Sequence, residues 1–371
     1  MPGKRDMSGK VRYAVVGAGW ISQAAMMPGI EHTGNSEMVA LVTGDAFKAK
    51  VLGEKYGIPR TYDYSEFDDL LNSGQVDAIY LALPNFAHAE FSVKALEAGV
   101  HVLLEKPMAT SLEECQRIID ASGRSGAKLM VAYRLHFEPG TIGAIRMVRS
   151  GELGRLRYFS SVFSQHIAPT NHRAKNGYWA GPVPDMGTYP INQVRNLFGA
   201  EPVEVFAMGV RSAAEEFNCD DTVTVLLKFE DERMAQFVVS YNGADVDTFT
   251  VVGEKGVLES NPAYQIGVGM EHRMTIDKKT TERKFPETDH FGGEMKYFSE
   301  CILTGKDPEP DGEEGLLDVR VLVAIERSLE TGEVQKIEPV YRKKRPSTDQ
   351  TQELGPIKPP ELIHAAEPGK G

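Results

Sequence analysis

Gly17-Ala18-Gly19-Trp20-Ile21-Ser22 follows directly on an apolar run at residues 12–16 and opens an amphipathic stretch. A glycine turn between strand and helix can hold a pyrophosphate. The first glycine permits the tight turn, the second lets phosphate approach the backbone, and the helix N-terminus presents free N–H groups at the positive end of its dipole. Ser22 stands where the pattern usually has Gly or Ala, and is still small enough for close helix packing. The next apolar run, 38–42, ends before Thr43, where a site for NAD places an acid on the ribose 2′-hydroxyl. A hydroxyl there can donate to a 2′-phosphate, and Lys48, at the start of the following helix, can supply a counter-charge. Asp45 is the nearby acid that keeps NAD open as the lesser alternative; the residues favour NADP.

Such a turn needs a sheet behind it. Short aliphatic runs at 12–16, 38–42, 78–83, 101–104 and 128–132 alternate with amphipathic stretches, the rhythm of βαβ units around a parallel sheet buried on both faces. The clearest helices are 88–98, closed by Gly99, and one from Ser111, where Ser111-Leu112-Glu113-Glu114 reads as a capping box. Pro139 suits the first turn of a helix running to about residue 150. Longer alternating runs then follow at 156–163, 203–210, 222–229, 234–241 and 248–252, the pattern of an open, largely antiparallel sheet, and a helical pair at 294–304 and 315–331 ends the segment. The expected class is α/β: an N-terminal doubly wound Rossmann sheet and a C-terminal α/β domain. The expected divisions are an N-terminal extension at 1–10, a nucleotide-binding domain at 11–133, a substrate and oligomerisation domain at 134–341, and a tail at 342–371. The tail has a basic run, five prolines and few large apolar groups, and is expected to be mobile or laid along the surface.

With 371 residues and 41% apolar composition the chain can bury two cores. Forty-one basic against 53 acidic residues give a net charge of −12, which opposes docking on nucleic acid or an anionic membrane. The three cysteines lack the spacing of a disulfide framework or zinc site, and no pair among the nine histidines has metal-ligand spacing. No signal-peptide core and no stretch of the roughly 20 apolar residues that span a bilayer is present, so the expected location is cytoplasmic, with no metal required.

At Glu105-Lys106-Pro107, immediately after a strand, the sequence resembles the glucose-fructose oxidoreductase, inositol dehydrogenase and MocA family. The resemblance extends over residues 11–330, through Gly17-Ala18-Gly19, Leu83-Pro84-Asn85 with His88, residues 105–110, residues 133–136 and Asp185-Met186-Gly187-Thr188-Tyr189. Residues 41–48 and Tyr133-Arg134 look most like the NADP-dependent, sugar-oxidising branch. The resemblance implies cofactor contacts from Gly17, Gly19, Trp20, Ile21, Thr43, Lys48, Leu83, Pro84, Asn85, His88, Glu105, Lys106 and Arg134. It also implies an open sheet used for assembly into a homodimer or homotetramer. One departure is Gly181-Pro182-Val183-Pro184, where the family has a glycine-rich run; it puts the identity of the sugar in doubt.

Oxidising an alcohol removes its hydroxyl proton as hydride leaves carbon, so a base must lie within hydrogen-bond reach of that oxygen. Tyr189 is the candidate, with the Lys106 ammonium stabilising its phenolate or bonding the reacting oxygen directly. Asp185, four residues before Tyr189 and on the same side of a helix turn, would orient Lys106 or accept from sugar hydroxyls, or act as the base itself. Arg134, His136 and Arg173 complete the expected substrate contacts, with Lys106, Asp185 and Tyr189. Other readings are a dihydrodiol or cyclic-alcohol dehydrogenase, and a non-catalytic dinucleotide-binding sensor or repressor of the same fold.

Overall fold

The structure, a computed structural model, describes residues 9–213 and 215–369; all but the end of the expected N-terminal extension lies outside them. The chain divides into two compact units: residues up to Arg134 with Asp289–Gly315 and Gln352–Ala366, and Leu135–Thr288 with Leu316–Thr351 and the C-terminal residues from Glu367.

The first unit is built on six parallel strands, β1 (Val11–Val16), β2 (Ser36–Val42), β3 (Arg60–Tyr62), β4 (Ala78–Leu81), β5 (His101–Glu105) and β6 (Leu129–Ala132), in the order β3-β2-β1-β4-β5-β6. This is the doubly wound arrangement, whose order reverses between β1 and β4 and so opens a crevice at the carboxyl ends of those strands. Helices cover the faces. The glycine turn after β1 opens a short helical stretch, a π-helical turn Ser22–Met26 continued by Met27–Gly29. After β2, α1 (Ala46–Tyr56) is capped by Asp45, whose carboxylate accepts from the Phe47 and Lys48 N–H groups, and it ends on Gly57 at φ +61°. Helix α2 (His88–Glu97) follows β4. Helix α3 (Leu112–Ser125) is capped by Ser111, which accepts from the Glu114 N–H; the Glu114 carboxylate reaches back to Thr110, so the expected capping box is half formed.

Residues 289–315, read from the sequence as part of the second domain, belong to this first unit. The helix His290–Thr304 is the cause: its Ser299 hydroxyl is 2.9 Å from the Tyr13 hydroxyl of β1 and 2.7 Å from the Ser36 hydroxyl of β2.

The second unit carries a nine-stranded sheet. Its strands are β7 (Leu156–His166), β8 (Pro202–Val210), β9 (Thr222–Phe229), β10 (Met234–Ser240), β11 (Asn242–Gly253), β12 (Gly256–Ser260), β13 (Glu271–Ile276), β14 (Lys279–Lys284) and the short β15 (Gln335–Lys336), ordered β14-β13-β12-β11-β7-β10-β9-β8-β15. Every pair is antiparallel except β7 with β10. One face supplies Phe159, Val225, Leu227, Phe229, Phe237 and Val251 to a core shared with Ile142 and Ile145 of the helix Pro139–Arg149 and with Ile191, Val194 and Leu197 of the helix Thr188–Phe198. The alternation in β9 and β10 sends the intervening residues to the opposite face, where Tyr158, Met208, Leu226 and Met234 are exposed. A buried ion network pins the end of the Thr188–Phe198 helix: Arg195 bonds both Glu201 and Asp318, and Arg345 bonds Glu201. Such a network is costly to break, because removing one partner strands the others without water.

Candidate active site

The glycine turn leaves β1 as expected. Gly17 has φ +99°, and a Cβ there would lie 2.4 Å from the Ala82 carbonyl oxygen. Only glycine lets the turn after β1 pass this close to the loop after β4. Gly19 is exposed, with no heavy atom within 4 Å of where a Cβ would stand. That open space above backbone N–H groups is the cradle a pyrophosphate needs, so the turn fits a dinucleotide. Ser22, buried, donates to the Gly17 carbonyl at 2.6 Å and braces the turn from inside. Trp20 and Ile21 lie half-buried at the helix start.

At the end of β2, Thr43 is buried and its hydroxyl accepts from the Asp45 N–H at 3.3 Å. Lys48 lies within the first turn of α1, half-buried, with no side-chain hydrogen bond or ion pair among the described residues. This end therefore offers one hydroxyl and one uncommitted ammonium to an anion.

The loop after β4 carries Leu83, Pro84 and Asn85 near the switch point, with Leu83 half-buried against Gly17. His88 is buried completely, and its ring nitrogens lie 2.9 Å from the carbonyls of Leu83 and Pro107. Burial holds this imidazole below its usual pKa, against the opposing pull of those carbonyls. His88 thus ties the loop after β4 to the turn after β5.

That second turn is Glu105-Lys106-Pro107, with a cis bond before Pro107. The Tyr80 hydroxyl donates to Glu105 at 2.6 Å, and the Lys106 N–H reaches the other carboxylate oxygen at 3.3 Å. Burial pushes the Glu105 carboxyl up, and the Lys106 ammonium and Tyr80 hydroxyl pull it back. Beneath lies a compact ionisable cluster from distant parts of the chain. Arg134, 4% exposed, donates to His290 Nδ1 at 2.8 Å and lies over the Phe291 ring. Burial, reinforced by Arg134, drives His290 well below the ordinary histidine range. Glu294, fully buried, has no hydrogen-bond partner among the described residues on either carboxylate oxygen, and burial with Glu105 nearby pushes its carboxyl well up. Arg134, expected to contact cofactor and sugar, is a buried member of this cluster.

In the second unit, Asp185 and Tyr189 are both half-buried and share one side of consecutive helical turns, as their spacing requires. Arg173 Nε donates to Asp185 Oδ2 at 2.9 Å, and the Tyr241 hydroxyl lies 3.0 Å from the same oxygen. Arg173, expected to touch substrate, is here the counter-ion that holds Asp185. The Tyr189 ring packs edge-on to Phe163 at 5.5 Å and tilted on Tyr264 at 5.8 Å, which leaves the phenol with a fixed direction. His136 is buried, with Nε2 2.6 Å from Asn192 Oδ1, and Asn192 in turn bonds Asp318. Tyr80, Tyr241, His290 and Glu294 were not foreseen. Their relevance comes from pairings over long sequence separations, which no local pattern signals.

Comparison with known proteins agrees with this architecture. A family model described as an oxidoreductase family with an NAD-binding Rossmann fold matches residues 11–133, and a GFO/IDH/MocA C-terminal domain matches residues 142–259. A D-xylose 1-dehydrogenase [NADP(+)] of Haloarcula marismortui is 30% identical over 330 residues, covering 86% of this chain and 91% of that protein. The chain belongs to the Gfo/Idh/MocA oxidoreductase family. Among solved structures, the aldose-aldose oxidoreductase from Caulobacter crescentus, complexed with glycerol, superposes with a TM-score of 0.83 at 34% identity, over 88% of this chain and all of that one. A bovine trans-1,2-dihydrobenzene-1,2-diol dehydrogenase of the family is 28% identical over 315 residues, 81% of this chain and 90% of its own.

Proposed function

We propose that this protein is an NADP-dependent sugar oxidoreductase that oxidises an aldose at C1 to the lactone, or interconverts sugars with the cofactor retained. The observation that carries the reading is the pairing of two features in the first unit. The end of β2 has Thr43 and the uncommitted Lys48 where an NAD site has an acid, and Lys106 stands at the carboxyl end of β5, its neighbour Glu105 fixed by Tyr80. The NADP-dependent xylose dehydrogenase and the aldose-aldose oxidoreductase among the relatives support it.

The proposed division of labour follows from the chemistry. A bound nicotinamide supplies the two-electron acceptor for the hydride that leaves C1. The chain must take the proton from the C1 hydroxyl, and that role falls to Tyr189 as the phenolate, which becomes the phenol as hydride leaves C1, with the Lys106 ammonium stabilising the phenolate or bonding the reacting oxygen. Asp185, oriented by Arg173 and Tyr241, accepts from the remaining sugar hydroxyls. A carboxylate already engaged by a guanidinium and a phenol is suited to positioning, and this favours Tyr189 over Asp185 as the base. We further propose a homo-oligomer assembled through the exposed face of the nine-stranded sheet, in a reducing, cytoplasmic setting that suits the three free, buried thiols. No helix among the described residues is long and apolar enough to cross a membrane.

The test is turnover of a panel of aldoses with NADP and with NAD by the wild type, Lys106→Ala and Tyr189→Phe. Aldose-dependent NADPH formation that falls by about a hundredfold or more in both variants, the scale of one lost proton-transfer group, supports the reading. Turnover of dihydrodiols alone would move the assignment to that class, and nucleotide binding with no turnover of either would make the protein a sensor.

A further inference from the structure

The C-terminal stretch, expected to be mobile or laid along the surface, returns to the first unit, which takes in residues 352–366. It comes to rest on the nucleotide end. Lys55 of α1 donates to the Glu361 carbonyl at 3.2 Å. Gln23, 1% exposed, grips Ile363 with both ends of its amide: Oε1 accepts from the Ile363 N–H at 2.7 Å and Nε2 donates to the Ile363 carbonyl at 2.9 Å. The same Nε2 donates to the Ala18 carbonyl, inside the glycine turn. The tail is therefore fastened to the residue that braces the pyrophosphate cradle.

The next residue is His364. Its Nδ1 lies 2.9 Å from Asp45 Oδ2, and its ring stacks on Phe47 with centroids 4.7 Å apart and planes 21° from parallel. Its φ is +45°, a left-handed conformation that costs a histidine free energy and is held here by the Gln23 clasp on one side and the Asp45 and Phe47 contacts on the other. Asp45 Oδ1 is already occupied by the Phe47 and Lys48 N–H groups at 2.9 and 3.0 Å. With His364 on Oδ2, both oxygens of the acid nearest the end of β2 are committed.

That matters because a carboxylate at the end of this strand is what recognises an unphosphorylated ribose, by accepting from its 2′-hydroxyl, and what repels a 2′-phosphate; Thr43 holds that position here, and Asp45, two residues on, is the nearby acid able to take the role. We propose that His364 is a specificity-determining positioning residue of the nucleotide site: by donating to Asp45 it withdraws that carboxylate from the ribose and leaves Thr43 and Lys48 to receive a 2′-phosphate. Selection of the phosphorylated dinucleotide is then shared between the loop after β2 and a tail residue more than 300 positions away in sequence. The inference rests on the reading of this unit as an NADP site.

The experiment is equilibrium titration of the full-length protein, without substrate, with NADP and with NAD, followed by protein fluorescence or calorimetry. The proteins are the wild type, His364→Ala, His364→Gln, Asp45→Asn and His364→Ala/Asp45→Asn. Freeing one carboxylate oxygen for a 2′-hydroxyl predicts that His364→Ala lowers the preference for NADP over NAD by about tenfold, the size of one hydrogen bond to a charged group. His364→Gln, which still offers an N–H donor, keeps the preference nearer to wild type. In the Asp45→Asn background, which preserves the helix cap, the His364→Ala change has little effect. An unchanged preference in His364→Ala, or an equal loss in both backgrounds, would overturn this inference alone. Failure of the wild type to bind either nucleotide would overturn the cofactor reading itself and this inference with it.

Discussion

Replacing Gly17 by alanine separates the architecture of the nucleotide turn from its chemistry. At φ +99° an L-residue is strained by roughly 1–2 kcal/mol. The added Cβ would also stand 2.4 Å from the Ala82 carbonyl oxygen, 3.0 Å from its carbon and 3.1 Å from Leu83 Cδ2. Unstrained non-bonded atoms rest near ~3.5 Å, so the turn after β1 and the loop after β4 must part by about 1 Å. Backbone atoms cannot swing aside as a side chain does, and forced overpacking of this kind costs roughly 1–3 kcal/mol. The two effects together come to about 2–5 kcal/mol, a fall in Tm of roughly 5–15 °C for a unit of this size. Dinucleotide affinity should fall with it by about tenfold or more, since the amides that face the phosphates move. Gly19→Ala is the control. No heavy atom lies within 4 Å of its Cβ position, so Tm should stay close to wild type while affinity drops, because the methyl group enters the space reserved for ligand. Thermal unfolding by circular dichroism and titration with NADP read both effects. A Gly17→Ala protein that melts with the wild type, or a Gly19→Ala protein destabilised as much as Gly17→Ala, would refute the reasoning.

Two further expectations follow from buried charge and exposed surface. Burial, helped by Glu105 and Asp289 and opposed by Arg134, raises the Glu294 carboxyl well above its ordinary 4.5. Native protein then keeps a proton that the unfolded chain has lost, so this residue's contribution to stability falls as pH rises above the ordinary glutamate value and continues to fall up to the raised one. The non-titrating Glu294→Gln should exceed the wild type in Tm by a margin that is smallest below the ordinary glutamate range and widens as pH rises above it; a margin independent of pH would show that Glu294 titrates in the fold as it does in the unfolded chain. On the sheet face, Met208 is 65%, Met234 48%, Tyr158 47% and Leu226 38% exposed. Sedimentation of the wild type should give a multiple of the 40.9 kDa chain, and Leu226→Asp with Met208→Asp should reduce it; a wild-type monomer would contradict the proposed assembly.

The sequence was legible where burial is two-sided or alternates cleanly. The strands at β1, β2, β5 and β6 were found to within two residues because each is a short, continuous aliphatic run buried in the sheet, with β1 stopping at Gly17 and β5 at Glu105. Strand β3 (Arg60–Tyr62) and the hairpin of Glu271–Ile276 with Lys279–Lys284 went unread: the first is a three-residue edge strand and the last is exposed at every position, so neither carries a hydrophobic period. The helix starting at His290 was read as starting at Glu294, because Gly292 and Gly293 weaken its first turn; Asp289, its cap, was the available signal. The glycine turn, Thr43 and Lys48 stood out through type and spacing, and Lys106, Asp185 and Tyr189 through the family resemblance. The groups that orient them did not. Arg173 and Tyr241 on Asp185, Tyr80 on Glu105, and His364 on Asp45 are tertiary pairings, and a charge run in a proline-containing tail gives no hint that one histidine docks on a distant helix cap.

The central claim is that hydride passes between a sugar C1 and a nicotinamide held by this chain. Incubating the protein with NADP and an aldose deuterated at C1, then analysing the nucleotide by mass spectrometry, tests it directly. The account predicts reduced NADP carrying one deuterium, with unlabelled aldose giving none. Reduced nucleotide without the label, or no reduction with any aldose while NADP binds, would contradict it.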